Sequence, residues 1–213
     1  MPTPQPAPGD HYFAASPATP SAPRQIELTL PEGRLVRLAT DRGVFSAEKV
    51  DDGTRVLLAE GPPPGDATTL VDVGCGYGPI AITLALRAGP GAVVWAVDVN
   101  DRARELCRAN AAANGVADQV RVVSPEEVPP DLVVDQIWSN PPIRVGKEAL
   151  HDLLRTWLGR LRPGTGTASL VVQKHLGADS LARWLDEQGW PTTRVVSRAG
   201  YRVLAVGAGP VAS

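Results

Sequence analysis

The chain of 213 residues is 43% hydrophobic and 21% charged, with a formal net charge of −2. Those values suit one globular domain with a sizeable core plus an appendage. They exclude an overall basic field for nucleic acid, and no apolar run approaches the roughly 20 residues that a membrane-spanning helix needs.

Charge is nevertheless uneven along the chain. Residues 141–213 hold ten Lys and Arg against five Asp and Glu, a net +5, which leaves a net −7 for residues 1–140. The two cysteines, Cys75 and Cys107, lack metal-ligand spacing and read as reduced thiols. The first residues carry neither a basic segment nor the apolar stretch of a secretory signal, so a cytoplasmic location is expected.

Residues 1–24 are rich in Pro, Ala, Ser and Thr, cannot bury enough surface to fold alone, and read as a disordered tail in which only His11-Tyr12-Phe13 could dock. From Gln25 the pattern alternates polar and apolar through Leu30, turns at Pro31-Glu32-Gly33 and resumes over residues 34–38, which predicts a hairpin. Gly43-Val44-Phe45-Ser46 follows, and Asp52-Gly53-Thr54 leads into a short helix over residues 55–59. With the Pro-rich connection at residues 61–65, this makes an N-terminal extension of residues 25–65 ahead of a main domain of residues 66–213.

That domain opens on Val71-Asp72-Val73-Gly74-Cys75-Gly76-Tyr77-Gly78-Pro79-Ile80, a short apolar strand, a glycine-rich turn and an abrupt helix start. Glycine admits positive φ and leaves no Cβ between the chain and a ligand, so a bulky cofactor can lie against the turn. Pro79 suits a first helical turn. Residues 80–86 continue that helix. Residues 92–97 form a continuous apolar run, as expected of a buried parallel strand, and end at Asp98 and Val99. Asn100 can cap a third helix that stops at Asn114-Gly115. Residues 120–124 and 132–138 read as further strands, the second leading into Ser139-Asn140-Pro141-Pro142-Ile143. Leu150, Leu153, Leu154, Trp157, Leu158 and Leu161 then recur at helical spacing until Arg162-Pro163-Gly164. A strand over 168–172, a helix over 180–188 and strands over 193–197 and 201–206 complete the chain. The alternation predicts an α/β fold with a doubly wound, mostly parallel seven-stranded sheet whose last strand runs antiparallel.

Three groups could carry chemistry. Asp98, twenty positions beyond Gly78, could accept hydrogen bonds from both hydroxyls of a ribose. Asp72 could hold a cofactor ammonium, directly or through water, or else satisfy loop amides. In Asn140-Pro141-Pro142-Ile143 two prolines stiffen an extended backbone, so the Asn140 side chain and the Pro141 carbonyl could both face one amino group and aim its lone pair. Arg144, Lys147, Lys174, His175, Arg198 and Arg202 lie in nearby segments and could bind phosphates.

The spacing Gly74-x-Gly76-x-Gly78 with Asp72, together with Asp98 and the Asn-Pro-Pro run, resembles the class I amino-group methyltransferases, a Rossmann-like fold that uses S-adenosylmethionine (SAM). Gly43-Val44-Phe45-Ser46, Asp52-Gly53-Thr54, Ser139-Asn140-Pro141-Pro142-Ile143, Gln173-Lys174 and Gly200-Tyr201-Arg202-Val203-Leu204 together resemble the RsmC-type guanine-N2 methyltransferases of small-subunit ribosomal RNA. The resemblance implies SAM contacts at Asp72, Gly74, Cys75, Gly76, Gly78, Asp98, Val99, Ser124 and Asn140, and catalysis at residues 140–143. It also implies ribosomal RNA or the small ribosomal subunit as partner. The chain departs from the family in leaving no room for the extra N-terminal domain of the larger bacterial members. Ile143 stands where an aromatic residue often follows Pro-Pro, so base stacking falls to Phe45 or a tryptophan, and Ser124 stands where an Asp often contacts adenine. Other acceptors compatible with the motif are a protein glutamine or an adenine amine. A non-catalytic nucleotide-binding module and a NAD-linked oxidoreductase are the remaining alternatives, the last disfavoured by the glycine spacing.

Overall fold

The computed structural model describes residues 20–209; all but residues 20–24 of the Pro-rich tail, His11-Tyr12-Phe13 included, lie outside the described residues. The hairpin is present as β1 (Arg24–Thr29) and β2 (Leu35–Thr40), and the short helix as α1 (Asp52–Glu60). Then follow β3 (Thr69–Val73), α2 (Pro79–Arg87), β4 (Val93–Val97), α3 (Asp101–Ala113), β5 (Val120–Val123) and β6 (Gln136–Ser139). The chain ends with α4 (Lys147–Leu158), β7 (Thr167–Gln173), α5 (Ala178–Glu187), β8 (Thr192–Arg198) and β9 (Tyr201–Gly207).

The seven-stranded sheet has the order β5-β4-β3-β6-β7-β9-β8. β3 pairs in parallel with both β4 and β6, β6 in parallel with β7, and β9 antiparallel with β7 and β8. The chain runs outward from β3 to β5 and then returns to β6, so the strand order reverses between β3 and β6. A crevice opens outside the carboxyl ends of strands at such a reversal, and the glycine turn, Asp98 and Asn140 directly follow β3, β4 and β6.

Alternating strand residues feed two cores. Leu70 and Trp138 face the hairpin, α1, α2 and α3, while Val71, Val73 and Ile137 face α4 and α5. The central strands are thus covered on both faces, which is why β4 is apolar throughout, while the edge strand β8 is largely exposed. Leu28, Leu30, Val36 and Leu38 of the hairpin belong to the same core as α1 and α2. Among the described residues no helix is long and apolar enough to cross a membrane.

Two expected elements are shorter in the structure. The helical spacing carries through Leu161, but α4 ends at Leu158 with Gly159 behind it. Leu161 instead bridges Val134 in parallel, with Arg162 N–H donating to Val134 O at 2.7 Å. Leu161 stays in the α4–α5 core; burial was correctly signalled, while glycine, a poor helix former, let the backbone take a sheet partner. The strand expected over 132–138 is regular only from Gln136; before it Val134 bridges Leu161, and the Asp135 carboxylate accepts the Thr68 and Thr69 N–H groups, both at 3.0 Å.

Gly61 ends α1 where a Cβ would lie 2.4 Å from Trp138 Cη2 and 2.7 Å from Leu57 O. Trp138 is fully buried and Leu57 O is backbone, so neither can yield cheaply. Gly61→Ala is expected to destabilise the fold by about 1–3 kcal/mol, visible as a lower thermal midpoint; an unchanged midpoint would mean that α1 can slide away from β6 without cost.

Candidate active site

The glycine turn is shaped by backbone and carboxylates together. Gly74, Gly76 and Gly78 have φ of 76°, 55° and 94°. A Cβ at Gly78 would lie 2.7 Å from Cys107 Sγ, so that glycine serves packing against α3, whereas a Cβ at Gly76 meets no atom of the described residues within 4 Å and faces open space. Gly74 and Cys75 N–H donate to Val97 O at 2.8 and 3.0 Å. Gly76 N–H donates to Asp98 Oδ2 at 2.8 Å, and Asn100 N–H to Asp98 Oδ1 at 2.9 Å. Asp98 therefore pins the turn to the end of β4 and still has acceptor capacity left for a ligand. Burial raises its pKa against those two bonds and the nearby Arg104 charge.

Asp72 is fully buried beneath the turn, and its Oδ2 accepts the Ala81 N–H of α2 at 2.9 Å. Its Oδ1 has no hydrogen-bond partner among the described residues. Burial pushes its carboxyl up to about 8, with the Asp98 charge adding to the rise and the Ala81 bond opposing it.

Across the crevice, Ser139 Oγ donates to Val73 O at 2.7 Å and holds the ends of β6 and β3 together. The next residue carries the most informative geometry. Asn140 Nδ2 donates to Asp51 Oδ2 at 2.8 Å and to Thr54 Oγ1 at 3.1 Å. Asp51 is also the N-cap of α1, its Oδ2 accepting Thr54 N–H at 3.1 Å. A carboxylate only accepts, so it fixes which end of the Asn140 amide faces it and leaves Asn140 Oδ1 to accept from a ligand. The Pro141 carbonyl accepts Ile143 N–H at 2.8 Å across Pro142 (φ −74°, ψ 75°), an inverse γ-turn that leaves that oxygen one lone pair.

Two small cavities meet at Gly74. One, of about 20 Å³, is bounded by Asp51, Thr54, Gly74, Cys75, Gly76 and Asn140, with Phe45, 54% exposed, at its rim. The other, of about 50 Å³, is an apolar slot of Val97, Val99, Pro125, Pro142 and Trp157 with Asp98 at its edge. A ligand filling both would straddle the glycine turn. Ser124 lines neither; its N–H donates to Glu127 Oε2 at 2.7 Å. A larger cavity of about 340 Å³ lies between the hairpin, α1 and the β8–β9 turn, away from these groups.

Of the cations singled out from sequence, Arg202 is buried and paired with Asp179, and Arg198 is paired with Glu60, so neither is free for phosphate. Arg144, Lys147 and Lys174 are exposed and form no ion pair among the described residues. Among those residues no group of His, Cys, Asp and Glu could hold a metal ion. Sequence reasoning missed Asp51, although a helix-capping Asp directly before Asp52-Gly53-Thr54 was the available signal. It also missed Asn110, which holds the glycine turn to β2 by donating to Tyr77 O and Ala39 O, both at 2.8 Å.

This sheet order, with a glycine turn after the first strand of the domain and acidic and Asn-Pro-Pro groups after its neighbours, is the fold of the class I methyltransferases. The structure of the Thermus thermophilus 16S rRNA N2 G1207 methyltransferase (RsmC), in complex with AdoMet and guanosine, superimposes with a TM-score of 0.75 at 26% identity, over 90% of this chain and 52% of that one. The family model described as "Methyltransferase small domain" matches residues 35–205, and the chain belongs to that family. It is 31% identical to the uncharacterized protein YbxB of Bacillus subtilis, over 92% of this chain and 96% of that one. It is 32% identical to ribosomal RNA large subunit methyltransferase G of Shewanella baltica, over 72% of this chain but only 42% of the relative. The chain thus spans about half the length of the ribosomal RNA methyltransferases it matches.

Proposed function

We propose that this protein transfers a methyl group from SAM to the exocyclic N2 amine of a guanine in small-subunit ribosomal RNA. The observation that carries the reading is the Asn140 amide, fixed by Asp51 and Thr54 with its oxygen left to accept an N–H beside the glycine turn.

The residues present fit the cofactor. Asp72 Oδ1 is a buried acceptor with no partner among the described residues, suited to an ammonium, and Gly76 leaves open space above the turn. Asp98 has lone pairs to spare for ribose hydroxyls, and the slot of Val97, Val99, Pro125, Pro142 and Trp157 suits an adenine. SAM, when bound, supplies a methyl group on a sulfonium. Asn140 Oδ1 and the remaining lone pair of Pro141 O hold the two amine N–H bonds and turn the nitrogen lone pair toward that methyl. No protein base is required, since the proton can leave for solvent after attack.

A polynucleotide acceptor is supported by the exposed Phe45, which offers a ring for stacking, and by Arg144, Lys147 and Lys174, exposed after β6, at the start of α4 and after β7, which form no ion pair among the described residues. The small-subunit guanine rests on similarity to the Thermus enzyme, and similarity to the Shewanella enzyme favours a large-subunit acceptor as second reading. The test is incubation with methyl-labelled SAM and undermethylated small subunits, large subunits, free ribosomal RNA or a protein extract, followed by nucleoside and amino-acid analysis. N2-methylguanosine in small-subunit RNA is expected. The same product only from large subunits moves the target, and label in adenosine or glutamine overturns the acceptor. No transfer, with SAM bound, favours a binding module.

A further inference from the structure

The Asn140–Ile143 loop borders three cavities, and the function proposed above uses only the two that meet at Gly74. The third, of about 200 Å³, lies beyond Ile143 between α4, α5 and the end of β7. Its walls include apolar side chains, but its polar groups share one character. Lys147, the first residue of α4, and Gly177 and Ser180, at the start of α5, all line it. Both helices begin at a glycine, Gly146 (φ 102°) and Gly177 (φ 96°), so their first-turn N–H groups have no side-chain cap among the described residues. Ser180 Oγ donates to Gly177 O at 2.8 Å, leaving its lone pairs and those N–H groups to the cavity.

A second, independent observation is His151, one helical turn beyond Lys147. It lines the cavity, is only 8% exposed, stacks on Trp184 at 3.5 Å between ring centroids, and makes no hydrogen bond among the described residues. The ring is mostly covered, but its nitrogens are not among the buried polar atoms left without a partner, so they stay open to a ligand entering the cavity. Burial first, and then the Lys147 and Arg155 charges, lower its pKa against the opposing Asp152. The imidazole thus sits in a positive field. The acids of the two first turns do not cancel that field: Glu148 is exposed and does not line the cavity, and Asp179 is held by Arg194 and Arg202 on the sheet side.

We propose that this cavity binds a phosphate of the acceptor polynucleotide, on a nucleotide flanking the base presented to Asn140. The phosphate oxygens would take Lys147, His151 and the α5 N-terminus as donors, and Ile143 would separate this subsite from the base. The inference rests on the polynucleotide reading of the site.

The test separates the two. With only three histidines in the chain, the His151 imidazole signals can be followed by NMR in the full-length protein with SAM. One arm adds a short guanine-containing RNA, the other inorganic phosphate, and RNA binding is measured against salt for wild type and Lys147→Gln. RNA is expected to raise the His151 pKa, and Lys147→Gln to weaken RNA about tenfold and reduce the salt slope by about one, with SAM affinity unchanged. RNA that binds without moving His151, a response to inorganic phosphate but not to RNA, or an unchanged slope in Lys147→Gln would each overturn the subsite. If RNA moves His151 but is never methylated, the subsite stands and the proposed reaction fails.

Discussion

Asn140→Ala is expected to lower kcat by roughly 10²–10³-fold, the size of effect seen when one positioned hydrogen-bonding group is removed from a reacting centre. SAM affinity should change by less than about twofold, because Asn140 reaches the cofactor side only through one wall of the small cavity. The companion substitutions separate geometry from charge. Asp51→Ala removes the acceptor that orients the amide, so Asn140 can turn its NH₂ toward the substrate and present a donor to a donor; about a tenfold or greater loss in kcat is expected. Asp51→Asn can still accept from Asn140 Nδ2 through its own carbonyl, at 2.8 Å in the present geometry, and should retain most of the activity if orientation is what matters. Equal losses in Asp51→Ala and Asp51→Asn would point to the negative charge instead. Stopped-flow or single-turnover methylation with saturating SAM reads these rates directly, and full turnover in Asn140→Ala would remove that residue from the mechanism.

Asn140 itself was legible in the sequence because its neighbours are unusual: two prolines after a strand constrain the backbone regardless of tertiary context. The same holds for the glycine turn and Asp98, whose positions follow from strand ends and local φ requirements, and for the sheet, whose buried strands announce themselves as apolar runs. What sequence spacing does not carry is contact between residues far apart in the chain. Asp51 and Asn140 are 89 positions apart and meet only because α1 packs on β7 and β9 with its N-terminus beside the residue that follows β6. Arg202 illustrates the converse. In sequence it is one more cation near the site, and only the register of β9 against β7 shows it turned inward toward α5. Leu161 shows a third limit, since helical periodicity and an irregular return to the sheet can bury the same side chain equally well.

Asp72→Asn is expected to have opposite effects on the free protein and on cofactor binding, and both follow from one carboxyl. In the folded chain burial holds it protonated up to about 8, against an ordinary value of 3.8. Between those values the folded state keeps a proton that the unfolded state has lost, so the Asp72 contribution makes stability fall as pH rises from about 4 to about 8 and level off above. Asp72→Asn removes that fall, and its thermal midpoint without SAM should gain on wild type from pH 5 to pH 8.5. The ligand reverses the sign. An ammonium at Asp72 Oδ1 favours the carboxylate, so wild-type SAM affinity should rise through pH 8, and binding below that pH should release a proton. Asp72→Asn should bind SAM on the order of 10–100-fold more weakly at pH 8.5, as expected when a buried charged partner is removed, and with no such pH dependence. Calorimetry in two buffers of different ionisation enthalpy measures the proton directly. Identical apparent enthalpies for wild type, with Asp72→Asn binding SAM as tightly, would mean that Asp72 serves the Ala81 N–H of α2 alone and that the ammonium is held elsewhere.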